Sequence, residues 1–292
     1  MSVRTGLDAS PGRQDLRKRL LTAIALVPLF LFAVVVGRVV FLGAVMFLSG
    51  VAAWEFYRMA GRKPFQPRAI PGIGLTLAFP ALLYWAPEQT LSVPALVTLA
   101  VIGVAVAQLL DPAGEEMLGS VSITVYGAAY VGLLLGHFVL IREVPRIVPG
   151  MPYWSGAILV ILPLALTWVN DSAAYLIGHR WGRRKLISRV SPGKTVEGAV
   201  GALLVTMLAA LPTVWLVDRW VPLFGPEHAL GIGALVGIAA PFGDLIESGF
   251  KRDAGVKDAS DLVPGHGGVL DRFDSLIVVA PAFWYYLQTV VL

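Results

Sequence analysis

Cysteine is absent from all 292 residues, which excludes disulfides, thiolate metal sites and a cysteine nucleophile. Charge is nearly as scarce: Asp, Glu, Lys and Arg make up 14% of the chain, where a soluble domain carries about a quarter. No internal repeat, low-complexity tract or separate soluble segment interrupts it. Apolar residues fill the space, at 57% hydrophobic and a mean hydropathy of +0.74. An all-α integral membrane protein is therefore expected. The pI of about 9.4 points to nucleic acid only until the charges are located. They sit in short loops between apolar runs, and that partner is excluded.

Nine segments approach the roughly 20 apolar residues that a bilayer core requires. They run over Leu20–Val36, Val39–Phe56, Ala69–Trp85, Leu91–Leu110, Ser120–Ile141, Ser155–Ile177, Val196–Val217, Ala229–Ser248 and Val269–Leu292. Threading the chain through nine spans puts 19 of its 23 Lys and Arg on one face. Only Arg38, Arg142, Arg146 and Arg219 fall on the other. Cytoplasmic loops carry such an excess, so the N-terminus is expected in the cytoplasm and the C-terminus outside. Residues 1–16 read as a flexible cytoplasmic tail and 17–292 as one polytopic membrane domain. Arg17-Lys18-Arg19 before the first span resembles a signal-peptide flank, but the apolar run is long and no small-x-small cleavage site follows.

The first polar constellation begins at the end of span six, with Asn170-Asp171-Ser172. It continues to Ser191-Pro192-Gly193-Lys194-Thr195-Val196-Glu197-Gly198. Ser-Pro followed by Thr-x-x-Gly before an apolar run predicts a capped helix start. Helix starts favour phosphate, and Lys194 would add a point charge. Gly-Lys-Thr also ends a Walker A loop, but Ser188 stands where that loop needs glycine, and no strand is predicted before it. Glu55, beside Trp54, reads as an interfacial partner for Arg58, three residues on.

The second constellation is denser. Between Ser248 and Asp274, 27 residues hold carboxylates, cations, His266 and the pair Gly267-Gly268. Ionisable residues at a membrane edge are costly and mark function by default. Asp244, Glu247, Ser248 and Lys251 share one stripe of a helix, and Asp271 and Asp274 are neighbours at the start of the next. Clustered carboxylates suit a hard cation such as Mg²⁺, which takes one or two of them plus substrate phosphates. The diglycine allows close backbone approach, with N–H groups able to line phosphate oxygens.

On these residues the chain resembles the phosphatidate cytidylyltransferase (CDP-diacylglycerol synthase) family. Ser248, Phe250, Lys251, Arg252, Lys257, Asp258, Ser260, Val263, Pro264, His266, Gly267, Gly268, Val269, Asp271, Arg272, Phe273 and Asp274 carry the likeness. The earlier run from Asn170 to Gly198 joins it, so a catalytic part at about 168–292 is expected. The resemblance implies transfer of CMP from CTP to phosphatidic acid, releasing pyrophosphate, in phospholipid biosynthesis. It implies metal at Asp244, Asp271 and Asp274, with Mg²⁺ alone or beside a second cation. Lys251, Arg252, His266 and Arg272 become catalytic candidates. Asp171, Ser191, Lys194, Thr195, Ser248, Gly267 and Gly268 become substrate contacts. It further implies a homodimer in the bacterial inner membrane with its active site facing the cytoplasm. Two rivals remain at this point. A CTP-dependent lipid kinase would release CDP instead of pyrophosphate, and a cation or proton transporter would use Asp171, Asp244 and Asp271 as pathway carboxylates.

Overall fold

The computed structural model describes residue 24 and residues 27–64, 66–86, 92–110, 116–262 and 267–292. The expected tail 1–16 and His266 lie outside the described residues. Helix α1 spans Val27–Val36. It is followed by α2 (Arg38–Ala60), α3 (Ala69–Trp85), α4 (Ser92–Leu109), α5 (Met117–Ala128), α6 (Leu134–Glu143), α7 (Ser155–Trp181), α8 (Val196–Asp218), α9 (Pro226–Asp253) and α10 (Leu270–Tyr286). A π-helical turn, Ala129–Leu133, joins α5 to α6, and the pair continues as one apolar helix from Met117 to Arg146. Seven helices are long and apolar enough to cross a membrane, while α3 and α1 are shorter. An all-α, multi-span body is the result. Helix faces carrying Phe47, Trp168, Leu204, Leu208 and Trp215 stay exposed, as expected where lipid is the solvent. Phe41, Phe56, Leu159, Leu162, Ile232 and Phe283 fill the interior.

Hydropathy marks the apolar part of a helix, not its end. The eighth expected segment stops at Ser248, yet α9 runs on to Asp253. Lys251 pairs with Glu247 one turn back, so the charged end stays helical. The sixth likewise continues from Ile177 to Trp181. Between α7 and α8 the chain makes an antiparallel hairpin, β1 (Lys185–Ile187) and β2 (Ser191–Thr195). Glu197 holds it against the helix by accepting the N–H groups of Arg183 and Arg184. Thr195 caps α8 as the Ser-Pro…Thr-x-x-Gly pattern predicts, accepting the Gly198 N–H at 3.1 Å.

Two ends of the bundle differ in chemistry. At one, the segment after α2, α9 and the hairpin meet through Lys63–Asp253, Lys194–Asp244 and the Arg252 bond to Val190. At the other, Arg142 is fully buried and donates to the carbonyls of Val34 and Val35 at the end of α1 and to Tyr153 before α7. Its guanidinium also sits 4.4 Å from the centroid of the Tyr153 ring, whose hydroxyl bonds Glu143. Arg142 thus satisfies the orphan carbonyls of a helix C-terminus, which otherwise have no partner. Three of the four basic residues outside the main bias, Arg38, Arg142 and Arg146, belong to this cluster.

Hydrogen bonds to a charged group contribute about 1.5–3 kcal/mol each. Arg142→Met should therefore lower the stability of the detergent-solubilised protein by at least about 2 kcal/mol. A thermal unfolding midpoint equal to that of the parent would show that the Arg142 cluster is not a stabilising element.

Candidate active site

The N-terminal helices grip the end of α9 before any polar group is considered. Phe250 is ringed by Phe56 of α2, Tyr126 of α5 and Tyr130 of the π-helical turn, at centroid distances of 5.9, 5.7 and 5.3 Å. Helix α10 packs on α9 at Gly243, where a Cβ would overlap the Asp274 carbonyl and lie 2.8 Å from the Ser275 Cα. That close approach brings Asp244 beside Asp274. Helix α7 supplies Asp171 from within its length, and β2 supplies Lys194.

The carboxylates divide into two groups. In the first, Asp244 accepts Lys194 Nζ at 2.6 Å and the Ser248 hydroxyl at 3.1 Å. Asp274 lies within electrostatic reach of both Asp244 and Asp171. Asp171 is exposed and feels Asp244 and Lys194 in turn. Three carboxylates gather there around Lys194, with Lys251 acting on Asp274 from the neighbouring group. In the second group, Lys251 Nζ bridges Asp271 Oδ1 at 2.7 Å and a Glu247 oxygen. Glu247 is fully buried, and its carboxylate meets no other donor among the described residues. Asp271 Oδ2 also accepts the N–H groups of Gly268 at 2.7 Å and Ala259 at 3.0 Å.

This division changes the expected roles. Of Asp244, Asp271 and Asp274, the structure brings the first and last together. Asp271 turns away to Lys251 and two amides, and Asp171 is the third carboxylate of the cluster. Among the described residues, no three His, Cys, Asp or Glu side chains form a ready metal cage. A two-carboxylate set still fits Mg²⁺, which fills its shell with water and substrate phosphate. A cation there would offset the mutual repulsion of Asp171, Asp244 and Asp274.

Other candidates are similarly redistributed. Lys251 is committed to two carboxylates. Arg252 donates Nε to Val190 and a terminal nitrogen to Val256, tying the hairpin to α9. Arg272 is exposed at the start of α10. Thr195 is buried and spends its hydroxyl as a helix cap. Ser191 is half-buried at the start of β2, and Ser248 donates to Asp244. The Gly268 N–H is taken by Asp271, while Gly267 turns the chain with φ 79°. Glu55 is the residue most misjudged from sequence. It is fully buried and bonded to Ser260, Val269 and Leu270, while Arg58 stacks on Trp54 at 5.4 Å. Glu247 belonged to the predicted stripe, and its i, i+4 spacing to Lys251 was the signal for the pair.

The model of the cytidylyltransferase family matches residues 17–290. The chain is 32% identical over 278 residues to a phosphatidate cytidylyltransferase of Bacillus subtilis, covering 94% of this chain and 97% of that one. It is 35% identical over 286 residues to a phosphatidate cytidylyltransferase of Pseudomonas aeruginosa, covering 92% and 95%. It is 41% identical over 178 residues to the uncharacterized protein YnbB of Escherichia coli, a match spanning 61% of this chain and just over half, 56%, of that protein.

Removing one member of a buried ion pair costs roughly 3–5 kcal/mol, because the remaining charge loses its compensation. Lys251→Met should cost about 3 kcal/mol of stability, and adding Glu247→Gln should recover part of it. Thermal unfolding of the single and double variants in detergent measures this; equal losses in both would mean that Glu247 is not held by Lys251.

Proposed function

The chain belongs to the cytidylyltransferase family and is a nucleotidyltransferase, and from that premise we propose that it is a phosphatidate cytidylyltransferase. It would transfer CMP from CTP to phosphatidic acid, giving CDP-diacylglycerol and pyrophosphate, in phospholipid biosynthesis. The observation that carries this reading is the Asp171, Asp244 and Asp274 cluster facing Lys194. It lies at the bundle end where the basic loops gather, in a chain aligned over 94% of its length with a protein of that name.

The chemistry asks little of a base. One phosphatidate oxygen, already anionic near neutral pH, attacks the α-phosphorus of CTP, and the bond to the pyrophosphate oxygen breaks. No proton need be removed from the nucleophile. Catalysis of such a transfer is positioning and charge neutralisation. Asp244 and Asp274 are the residues that would hold Mg²⁺, with Asp171 the remaining carboxylate for a second cation. The chemistry a divalent ion supplies there is neutralisation of charge on the transferring and leaving phosphates. Lys194, on the hairpin, would exchange Asp244 for a substrate phosphate. Ser191 and Ser248 are hydroxyls at the same rim, and Arg272 adds positive charge at the start of α10. The Lys251 triad holds α9 to α10 and keeps the two aspartate-bearing helices in register.

The setting follows from the same reading. Nine spans, with α1 and α3 completing the seven long helices, put the N-terminus and the basic loops in the cytoplasm and the C-terminus outside. CTP then arrives from the cytoplasm, and phosphatidate reaches the site from within the bacterial cell membrane. A homodimer completes the proposal.

Two outcomes are expected of the detergent-purified protein given phosphatidic acid, CTP and Mg²⁺. It should release pyrophosphate and form a CMP-bearing lipid; CDP with a phosphorylated lipid alcohol would identify a kinase instead, and neither product from folded protein would favour the transporter. Chelation with EDTA should stop turnover and added Mg²⁺ restore it. Asp274→Asn should reduce kcat by at least about 10²-fold, the scale for losing one electrostatic element of a transfer site. Its thermal midpoint should hold or rise, because the variant relieves repulsion from Asp244 and Asp171. Undiminished turnover in Asp274→Asn would remove this residue from the site.

A further inference from the structure

Helix α10 carries both Asp271 and Asp274, yet it begins without a cap of its own. Val269, at its N-cap position, makes no side-chain capping bond. The first N–H groups of a helix have no partner inside it, and at this depth they need one. Glu55 of α2 supplies it from more than 200 residues away. Its Oε2 accepts the Leu270 N–H at 2.7 Å, and its Oε1 accepts the Val269 N–H at 3.0 Å. The same Oε1 takes the Ser260 hydroxyl at 2.5 Å. Asp271 takes the Gly268 N–H. Between them, two carboxylates consume the amides of residues 268, 269 and 270. The start of α10 is therefore a closed junction.

Gly268 shows how tightly this junction is built. A Cβ placed on it would lie 2.7 and 2.8 Å from the Glu55 carboxylate oxygens, and its three nearest atoms all belong to that carboxylate. Gly268 is not among the positive-φ glycines, so its backbone would admit another residue. What excludes a side chain is Glu55.

We propose that Glu55 is a positioning residue for the transfer reaction, and that the second glycine of the His-Gly-Gly run exists to admit its carboxylate. Glu55 fixes where α10 begins. Asp271 lies one residue beyond Leu270, and Asp274 lies about one further turn along. The anchor therefore sets the place of Asp274 beside Asp244 and of Asp271 on Lys251. It also ties the Ser260 segment to the same point, which holds the Ala259 amide on Asp271. Lys63, just past α2, reaches Asp253 at the end of α9, but that pair is largely exposed and weak by comparison. The inference rests on reading the aspartate cluster as the centre of cytidylyl transfer.

The test uses the full-length protein with Glu55→Gln, Glu55→Ala, Gly268→Ala and the Glu55→Ala/Gly268→Ala pair. A small misplacement of reacting groups costs about 10²-fold in rate, and Glu55→Gln should lower kcat by that order with little change in the KM for CTP. Hydrogen exchange should quicken in peptides covering 256–275 and stay at the parental rate in α7 and α8. Gly268→Ala should lower kcat in the parent but add nothing in the Glu55→Ala background. A parental kcat in Glu55→Gln, exchange that quickens throughout the protein, or multiplicative effects of the two alanines would each overturn the proposal. Absence of pyrophosphate from the parent would overturn the functional reading separately. Exchange at the start of α10 then decides the hold of Glu55 by itself: local loosening supports it, and none refutes it.

Discussion

A carboxylate at the end of a membrane helix needs a cation, a set of amides, or separation from its neighbours. That constraint organises the polar end of this protein. Burial makes each unpaired charge expensive, and a low local dielectric strengthens both attraction and repulsion. Six carboxylates meet there, and they sort by partner. Glu55 takes amides and a hydroxyl. Asp271 takes amides and Lys251. Glu247 takes Lys251 alone. Asp244 takes Lys194 and Ser248, while Asp171 and Asp274 stay within its reach. Each set of three carboxylates has an ammonium, Lys251 in the first and Lys194 in the second, but the first set also takes the backbone amides of residues 259, 268, 269 and 270. Among the described residues, the one amide in the second set is that of Ser275 on Asp274, so repulsion among Asp171, Asp244 and Asp274 is less offset.

The two sets do different work through the same helices. Lys251, Glu247 and Asp271 clamp α9 to α10, and Gly243 lets those helices touch. The clamp leaves Asp244 and Asp274 side by side on the facing surfaces. Without it, two like charges so placed would push the helices apart. A fixed ion pair thus supports an unsatisfied one, and stability in the first supplies geometry to the second. At the opposite end Arg142 does the converse task, holding α1, α6 and the Tyr153 segment through carbonyls and an aromatic ring. Both ends are closed by buried charge, but only one end keeps charge uncompensated.

Apolar runs made the helices legible in the sequence. Helix α3 lies where hydropathy places it, and α8 differs by a single residue at its end. At the end of α9 a local charge pair, Lys251 with Glu247, outlasts the apolar run. The hairpin between α7 and α8 was missed because three- and five-residue strands rich in Lys, Ser and Gly carry no alternation of apolar and polar residues. Site residue types were legible as well. Asp244, Asp274, Lys194 and Ser248 do converge. Their partnerships were less so, because spacing along one helix shows which side chains share a face and not what stands opposite. Asp271 and Asp274 look equivalent at i, i+3. Only the positions of Lys251, Ala259 and Gly268 make one a structural link and leave the other in the aspartate cluster.

Glu55 shows the same limit at its furthest. In sequence its neighbours are Trp54 and Arg58, and an i, i+3 ion pair is the natural reading. In space its neighbours are Ser260, Val269 and Leu270. Read alone, the diglycine of the second constellation looks like a loop made thin for phosphate, since small residues and free amides are what phosphate sites use. Here one of those amides is occupied by Asp271, and the missing side chain leaves room for a carboxylate of the protein's own. The motif and its reason are separated by more than 200 residues. A dense signature in the C-terminal part can therefore encode an interface with the N-terminal helices as well as chemistry. This accounts for why a protein whose site residues lie after Asn170 needs the helices that come before it.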